Sequence, residues 1–272
     1  MMILLALALA QADVRQAVER SLPFLEKEGV AWMRDRKCVS CHHVTFMVWT
    51  HREALSRGFA VDEKKLDEWT RWTLDVGRKD RGVDTLAQVV LTRPPAADVA
   101  PYRELAELFR GLRKPDGLWE AAGQLTVQRR PKEETHEVST MWALRALDSL
   151  GYEEPRLKDG KPGQSAESAA LRLLANPSEE LLKELLGRQN GDGGWSYLRG
   201  ETSDALATGQ VLYALSFVKA DVEPARRARA FLVKTQREDG SWNVPTTKAR
   251  TKEPGIAIYW GTAWAVLGLL QP

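Results

Sequence analysis

Cysteine is scarce: two residues in 272, Cys38 and Cys41, with four histidines in the whole chain. At most one intramolecular disulfide can form, and a Cys-x-x-Cys bridge closes too small a loop to stabilise much. Charge of one sign is also lacking. The net charge is +2 with acids and bases interspersed, so there is no basic tail or patch of the kind that binds nucleic acid. No apolar run approaches the roughly 20 residues of a membrane-spanning helix. The most apolar late stretch, Ile256 to Leu270, carries Tyr259, Trp260, Gly261 and Thr262 and reads as a buried core helix. Alternating apolar and polar runs are nearly absent, which argues against strands.

Tryptophan, by contrast, is abundant: ten residues, several in one recurring phrase. Asp116-Gly117-Leu118-Trp119, Asp192-Gly193-Gly194-Trp195 and Asp239-Gly240-Ser241-Trp242 are three versions of it. Gln189 and Gln236 precede the second and third. An amphipathic stretch comes before each phrase: Tyr102–Leu112, Ser178–Leu186 and Pro224–Thr235. A more apolar helix with a threonine follows each, so that Thr140, Thr208 and Thr262 line up. Asp-Gly supplies a chain reversal with positive φ at the glycine. The tryptophan can pack under the preceding helix and cap a free carbonyl with its indole N–H. The glutamine is placed to reach a neighbouring repeat. Two degenerate pairs precede these: Ala17–Trp32 with Phe46–Gly58, and Leu66–Val76 with Val83–Thr92. About five helix pairs result, an array of the kind that stacks into a solenoid or ring.

Over Glu104–Pro272 these phrases resemble the QW repeats of squalene–hopene and oxidosqualene cyclases, and more broadly the terpenoid cyclase and protein prenyltransferase α/α-toroids. The resemblance implies an all-α, α/α-toroid fold of about five helix-pair repeats, with an apolar cavity that holds a polyprenyl or triterpene chain in those families. An apolar small molecule is thus an expected partner. The cyclases' Asp-x-Asp-Asp acid cluster is missing. The nearest acids, Asp80 and Asp84 in KDRGVDT, are too widely spaced to form it. The prenyltransferase zinc triad of Asp, Cys and His has no counterpart either, because no cysteine follows Cys41. Both gaps argue against either enzyme activity. Asp84, Asp204 and, more loosely, His136 fall near the starts of the second helices. Caps and dipole partners are the ordinary role there; contact with a ligand at a cavity mouth is the alternative.

Both cysteines and two histidines sit in KCVSCHH, Lys37 to His43. Cys38-Val39-Ser40-Cys41-His42 matches the c-type haem attachment pattern. Two thiols three apart can add to the two vinyl groups on one porphyrin edge, and the next imidazole reaches the iron. This resembles c-type cytochromes over five residues only. In that reading Cys38, Cys41 and His42 hold haem c, with His42 the proximal ligand. Met47 and His51 lie further along the helix that His42 begins, on the proximal side. A distal ligand would come from His136 or Met141, with Met33 a weaker choice. Two axial ligands suit electron transfer with a redox partner, and an open site suits small-ligand binding. His43 reads as a supporting or exposed residue. Zinc is an alternative, with Cys38, Cys41 and His42 or His43 joined by His51 or His136. A redox-active or structural disulfide is another.

The opening residues bear on this choice. Ile3 to Ala10 is apolar and Ala10-Gln11-Ala12 follows as a small-x-small site. Residues 1–12 are therefore expected to be a signal peptide, although no Lys or Arg precedes the apolar run. An N-terminal helix is the other reading. Export to a periplasm or the exterior would suit haem attachment. Residues 13–272 are expected as a single domain, with degenerate repeats in 13–100 and clear ones in 101–272. Three functional readings stand: an exported haem-bearing redox or ligand-binding module, a terpenoid cyclase- or prenyltransferase-like enzyme, and a structural helical-repeat interaction domain.

Overall fold

Helices that are apolar on every side must be buried, and helices with one apolar stripe flank them. The computed structural model follows this rule throughout. It describes residues 2–157, 162–218, 222–249 and 255–272, with no side-chain detail for 2–10, 40, 41, 123, 124 and 222. Eleven α-helices occur among the described residues. They are α1 (Met2–Arg36), α2 (Thr45–Ser56), α3 (Glu63–Gly77), α4 (Val83–Leu91), α5 (Ala100–Arg110), α6 (Lys132–Asp148), α7 (Ala166–Ala175), α8 (Glu179–Leu186), α9 (Ala205–Leu215), α10 (Val222–Thr235) and α11 (Gly255–Leu269). A π-helical turn, Ser40–Val44, leads into α2, and a 3₁₀ turn spans Gly123–Val127. Extended pairing among the described residues is limited to isolated bridges such as Gln128 with Lys248 and Ser165 with Leu198. The expected all-α class is therefore observed.

The chain groups into two compact units. One comprises Met1–Glu28, Ser165–Thr246 and Glu253–Pro272. Its centre is α9, buried along its whole length, against α11, buried at Ala257 and from Tyr259 to Leu269. Their backbones nearly touch: a Cβ on Gly209 would stand 2.2 Å from Trp264 O, and one on Gly268 2.8 Å from Gly209 O. The other unit comprises Gly29–Gln164 and Thr247–Lys252. Here α4 and α6 supply the buried faces. Leu86, Val90, Leu105, Phe109, Trp119 and Leu147 form one cluster. Each such buried side chain contributes roughly 1.5–3 kcal/mol.

The recurring phrase forms one device three times. Gly117, Gly193 and Gly240 have φ of 84°, 92° and 81°. The indole N–H of Trp119 donates to Phe109 O at 2.6 Å, that of Trp195 to Leu185 O at 2.9 Å, and that of Trp242 to Leu232 O at 2.8 Å. Those carbonyls lie at the ends of α5, α8 and α10, where helices leave carbonyls unpaired. The backbone N–H of the same tryptophans donates to Thr140, Thr208 and Thr262 Oγ1 at 2.9, 2.9 and 3.2 Å. Each tryptophan thus ties the end of one helix to a threonine of the next, mid-helix in α6 and α11 and in the first turn of α9.

Two features depart from the sequence expectations. Between residues 151 and 178, where the repeat reading assigns no helix, α7 forms, capped by Ser165 Oγ, which accepts from Ser168 N at 3.2 Å. Its ten residues follow no tryptophan phrase, and Asn176-Pro177 ends it at once. The first helix, expected over Ala17–Trp32, runs instead from Met2 to Arg36. The expected leader is helical from Met2, and its side chains up to Ala10 lie outside the described residues.

Candidate functional site

In the second unit, Asp84 and His136 come to the same short piece of backbone. Asp84 lies in the first turn of α4 and is 3% exposed. Its Oδ2 accepts from Ala122 N at 3.3 Å. His136, on α6 and half-buried, accepts from Ala121 N through Nδ1 at 3.0 Å. Ala122 is extended (φ −114°, ψ 166°), and successive N–H groups of an extended chain point in opposite directions. The segment after Trp119 therefore runs between α4 and α6, gripped from both sides.

Asp204 does the corresponding work in the first unit. It is the N-cap of α9: Oδ1 accepts from Ala207 N at 2.8 Å and Oδ2 from Tyr197 N at 2.8 Å. Burial pushes this carboxyl up to about 6, against the pull of those backbone donors. Asp80 is engaged by the backbone too, its Oδ1 accepting from Gly82 N at 2.6 Å.

The second unit also holds an aromatic cluster. Trp49 of α2 and Trp142 of α6 meet edge to face at 6.3 Å, and Phe46 stacks on Trp49 at 5.8 Å. Met141, beside Trp142, is buried.

The Cys-x-x-Cys-His-His segment forms the other concentration of chemistry. Cys38 is an exposed thiol just beyond α1, and the side chain of Cys41 lies outside the described residues. His42 and His43 are 7% and 6% exposed, and their Nδ1 atoms are 2.5 Å apart. Trp32 stacks on His43 (4.1 Å, 15°) and meets His42 edge-on at 5.1 Å. The Arg36 guanidinium lies over the Trp32 ring at 5.6 Å. Burial holds both imidazoles well below their usual range, His42 to about 4, with the Lys248 ammonium adding to the effect there. Both rings are neutral at pH 7.

His51 has an internal role on α2: Nδ1 lies 2.8 Å from Met47 O, and the ring meets Trp69 edge-on at 5.2 Å. Met33 and Met47 belong to the cluster around Val44, Leu66 and Trp69. Among the described residues no three His, Cys, Asp or Glu side chains gather as a metal site.

Arg113 is a functional residue of the repeat that the sequence did not reveal. It stands where Gln189 and Gln236 stand in the other phrases. Gln189 Nε2 donates to Gly193 O at 2.8 Å and to Pro224 O at 2.9 Å. Arg113 Nε donates to the matching Gly117 O at 3.0 Å, and its guanidinium also pairs with Glu154 and covers Trp119. The usable signal was position, six residues before the tryptophan, not residue type.

No family model matches the sequence. Drimenyl diphosphate synthase of Streptomyces showdoensis is 35% identical over 82 residues, which is 29% of this chain and only 15% of that protein. Among solved structures, the type II terpene cyclase MstE from Scytonema in complex with geranylgeranyl dihydroxybenzoate (substrate) superposes with a TM-score of 0.60. The match has 13% identity and covers 97% of this chain and 98% of that one. The same enzyme in complex with merosterolic acid A (product) gives the same values. Likeness at this identity establishes the fold: all-α, of the α/α-toroid class.

Proposed function

We propose that this chain is a terpenoid-cyclase-type protein whose ligand is an apolar isoprenoid, and that Asp84 serves it as the acid. One observation carries the reading. The likeness to MstE extends over 97% of the chain, degenerate N-terminal repeats included, and MstE is recorded with a geranylgeranyl substrate. The local identity to drimenyl diphosphate synthase supports the same class of ligand. The comparisons thus favour the enzyme reading over the haem-bearing module as the account of the fold.

Protonating an alkene requires a carboxylic acid stronger than usual, held away from water. Asp204 fits poorly because both its oxygens are already taken by backbone N–H groups. His136 fits poorly too, because its Nδ1 is taken by the Ala121 N–H. Asp84 is buried in the first turn of α4, at the positive end of its dipole, which favours the carboxylate formed when an acid gives up its proton. Trp49 and Trp142 add aromatic faces of the kind that stabilise cationic centres. Asp80 is occupied at Gly82, so Asp84 acts without the partner acids of the cyclase cluster.

The test is incubation with geranylgeranyl diphosphate and with squalene, followed by mass spectrometry of the extract. A cyclised product, lost in Asp84→Asn while ligand binding persists, is the expected result. Binding without turnover would remove the acid role of Asp84. A wild-type chain that binds neither compound would overturn the proposal.

A further inference from the structure

We propose that the segment Cys38–His43 is the attachment site of one c-type haem, held by thioethers from Cys38 and Cys41 and by an axial bond from His42 Nε2. The inference is independent of the isoprenoid reading, and it needs only that the chain reach a compartment where such attachment occurs.

The backbone around the motif is unusual in two ways. Lys37, at φ 49°, is the one non-glycine residue with positive φ among the described residues. A left-handed conformation at a lysine costs energy and recurs where a ligand is gripped. It ends α1 abruptly and presents Cys38 at the surface. The next turn, Ser40–Val44, is a π-helical one, a form that occurs chiefly as single turns at functional sites. A helix ends, a strained residue follows, and after Cys38 and Val39 the wide turn Ser40–Val44, which holds Cys41 and His42, opens α2.

The histidine geometry fits an axial ligand. Nδ1 of His42 is engaged with Nδ1 of His43 at 2.5 Å, so a metal bond from His42 is made by Nε2. Metal-bound imidazoles are typically oriented in this way, by a hydrogen bond at the other ring nitrogen. Trp32 holds both rings, stacked on one and edge-on to the other. His43 is thus the positioning residue and His42 the ligand. The charge also fits: Arg36, Lys37 and Lys248 are cations near the motif and suit the two propionates of a haem.

The attachment chemistry balances without an oxidant. Each thiol S–H adds across one vinyl C=C. A C–S bond forms at the carbon next to the porphyrin ring, and the hydrogen ends on the terminal carbon. Nothing leaves, and neither partner is oxidised overall. A haem held here would supply one-electron or small-ligand chemistry.

The experiment is expression of the full chain with an export signal, in a host that matures c-type cytochromes. It is read by intact mass, haem stain on a denaturing gel and the reduced absorption spectrum. Expected are a mass increase of one haem, a stain that survives denaturation and a c-type α-band. Cys38→Ala/Cys41→Ala should lose the stain completely. His43→Ala should keep the covalent haem and shift the bands that respond to the axial ligand. A colourless wild-type chain from a culture that loads a control cytochrome c would overturn the proposal, whether it carries zinc or a disulfide instead. Haem that washes off in denaturant would overturn the covalent assignment. The wild-type mass alone decides if a variant fails to fold.

Discussion

Among single residues, Asp204 makes the stability of the first unit depend on pH. It accepts from two backbone N–H groups while buried, and burial raises its carboxyl to about 6 from 3.8. Between those values the folded chain binds more protons than the unfolded one, so stability falls as pH rises through the window. Across that window the loss amounts to about 3 kcal/mol. Asp204→Asn keeps the shape and removes the titration. It should cost about 1–3 kcal/mol at pH 4, because an amide accepts only one of the two N–H bonds. Urea melts should show the gap to wild type shrinking between pH 4 and 7, since only the wild type loses stability there. A gap that stays constant would show that Asp204 ionises as it does in water. The three tryptophans make the same point about residue type. Their spacing announced a turn, and an indole N–H bound to a helix-end carbonyl follows from the chemistry of a buried donor. Arg113 shows the opposite. A guanidinium and an amide can both donate to the turn-glycine carbonyl, so one contact recurs between repeats under two residue types.

Between elements, the packing of α9 on α11 rests on glycine. Gly209 faces Trp264 O, Trp264 C and Ala265 N, all backbone atoms that no side-chain rotation can move. Gly209→Ala must push the two helices apart, and overpacking of this kind costs about 1–3 kcal/mol or more. Thermal unfolding should report it as a clear drop in Tm; a change under about 1 kcal/mol would contradict the close approach. The pattern marked both helices as buried, because each is apolar on all sides. It did not mark α7, whose ten residues lack the tryptophan phrase and become a helix only where α9 packs beside them.

Contacts between distant parts of the chain join its two ends within the first unit. Gln236 Nε2 donates to Ala17 O at 2.8 Å and to Ser21 Oγ at 3.0 Å, and Ser21 Oγ donates to Gly240 O at 2.7 Å. A Cβ on Gly240 would stand 2.1 Å from Arg20 O, and its φ of 81° already disfavours any other residue. Gly240→Ala should therefore release α1 first. Hydrogen exchange should show protection lost in the helix around Ala17–Leu25 while α9 and α11 stay protected. Equal loss in all three would indicate that α1 does not depend on this turn.

The sequence by itself determined the helical class, the three turns and a helix-end carbonyl as the partner of each indole; that the aligned threonines accept from the tryptophan N–H groups came from the structure. The former depend on local spacing, and the chemistry of a buried indole or an Asp-Gly reversal is the same in any setting. It also placed Cys38, Cys41 and His42 in one motif, since five adjacent residues need no fold to bring them together. Only the tertiary structure decided which backbone N–H groups reach each of these side chains. Asp84, Asp204 and His136 look alike at the starts of their helices. What separates them is the N–H groups that neighbouring segments bring to them. Those segments arrive from up to 38 residues away, and no local pattern records where such a chain will pass.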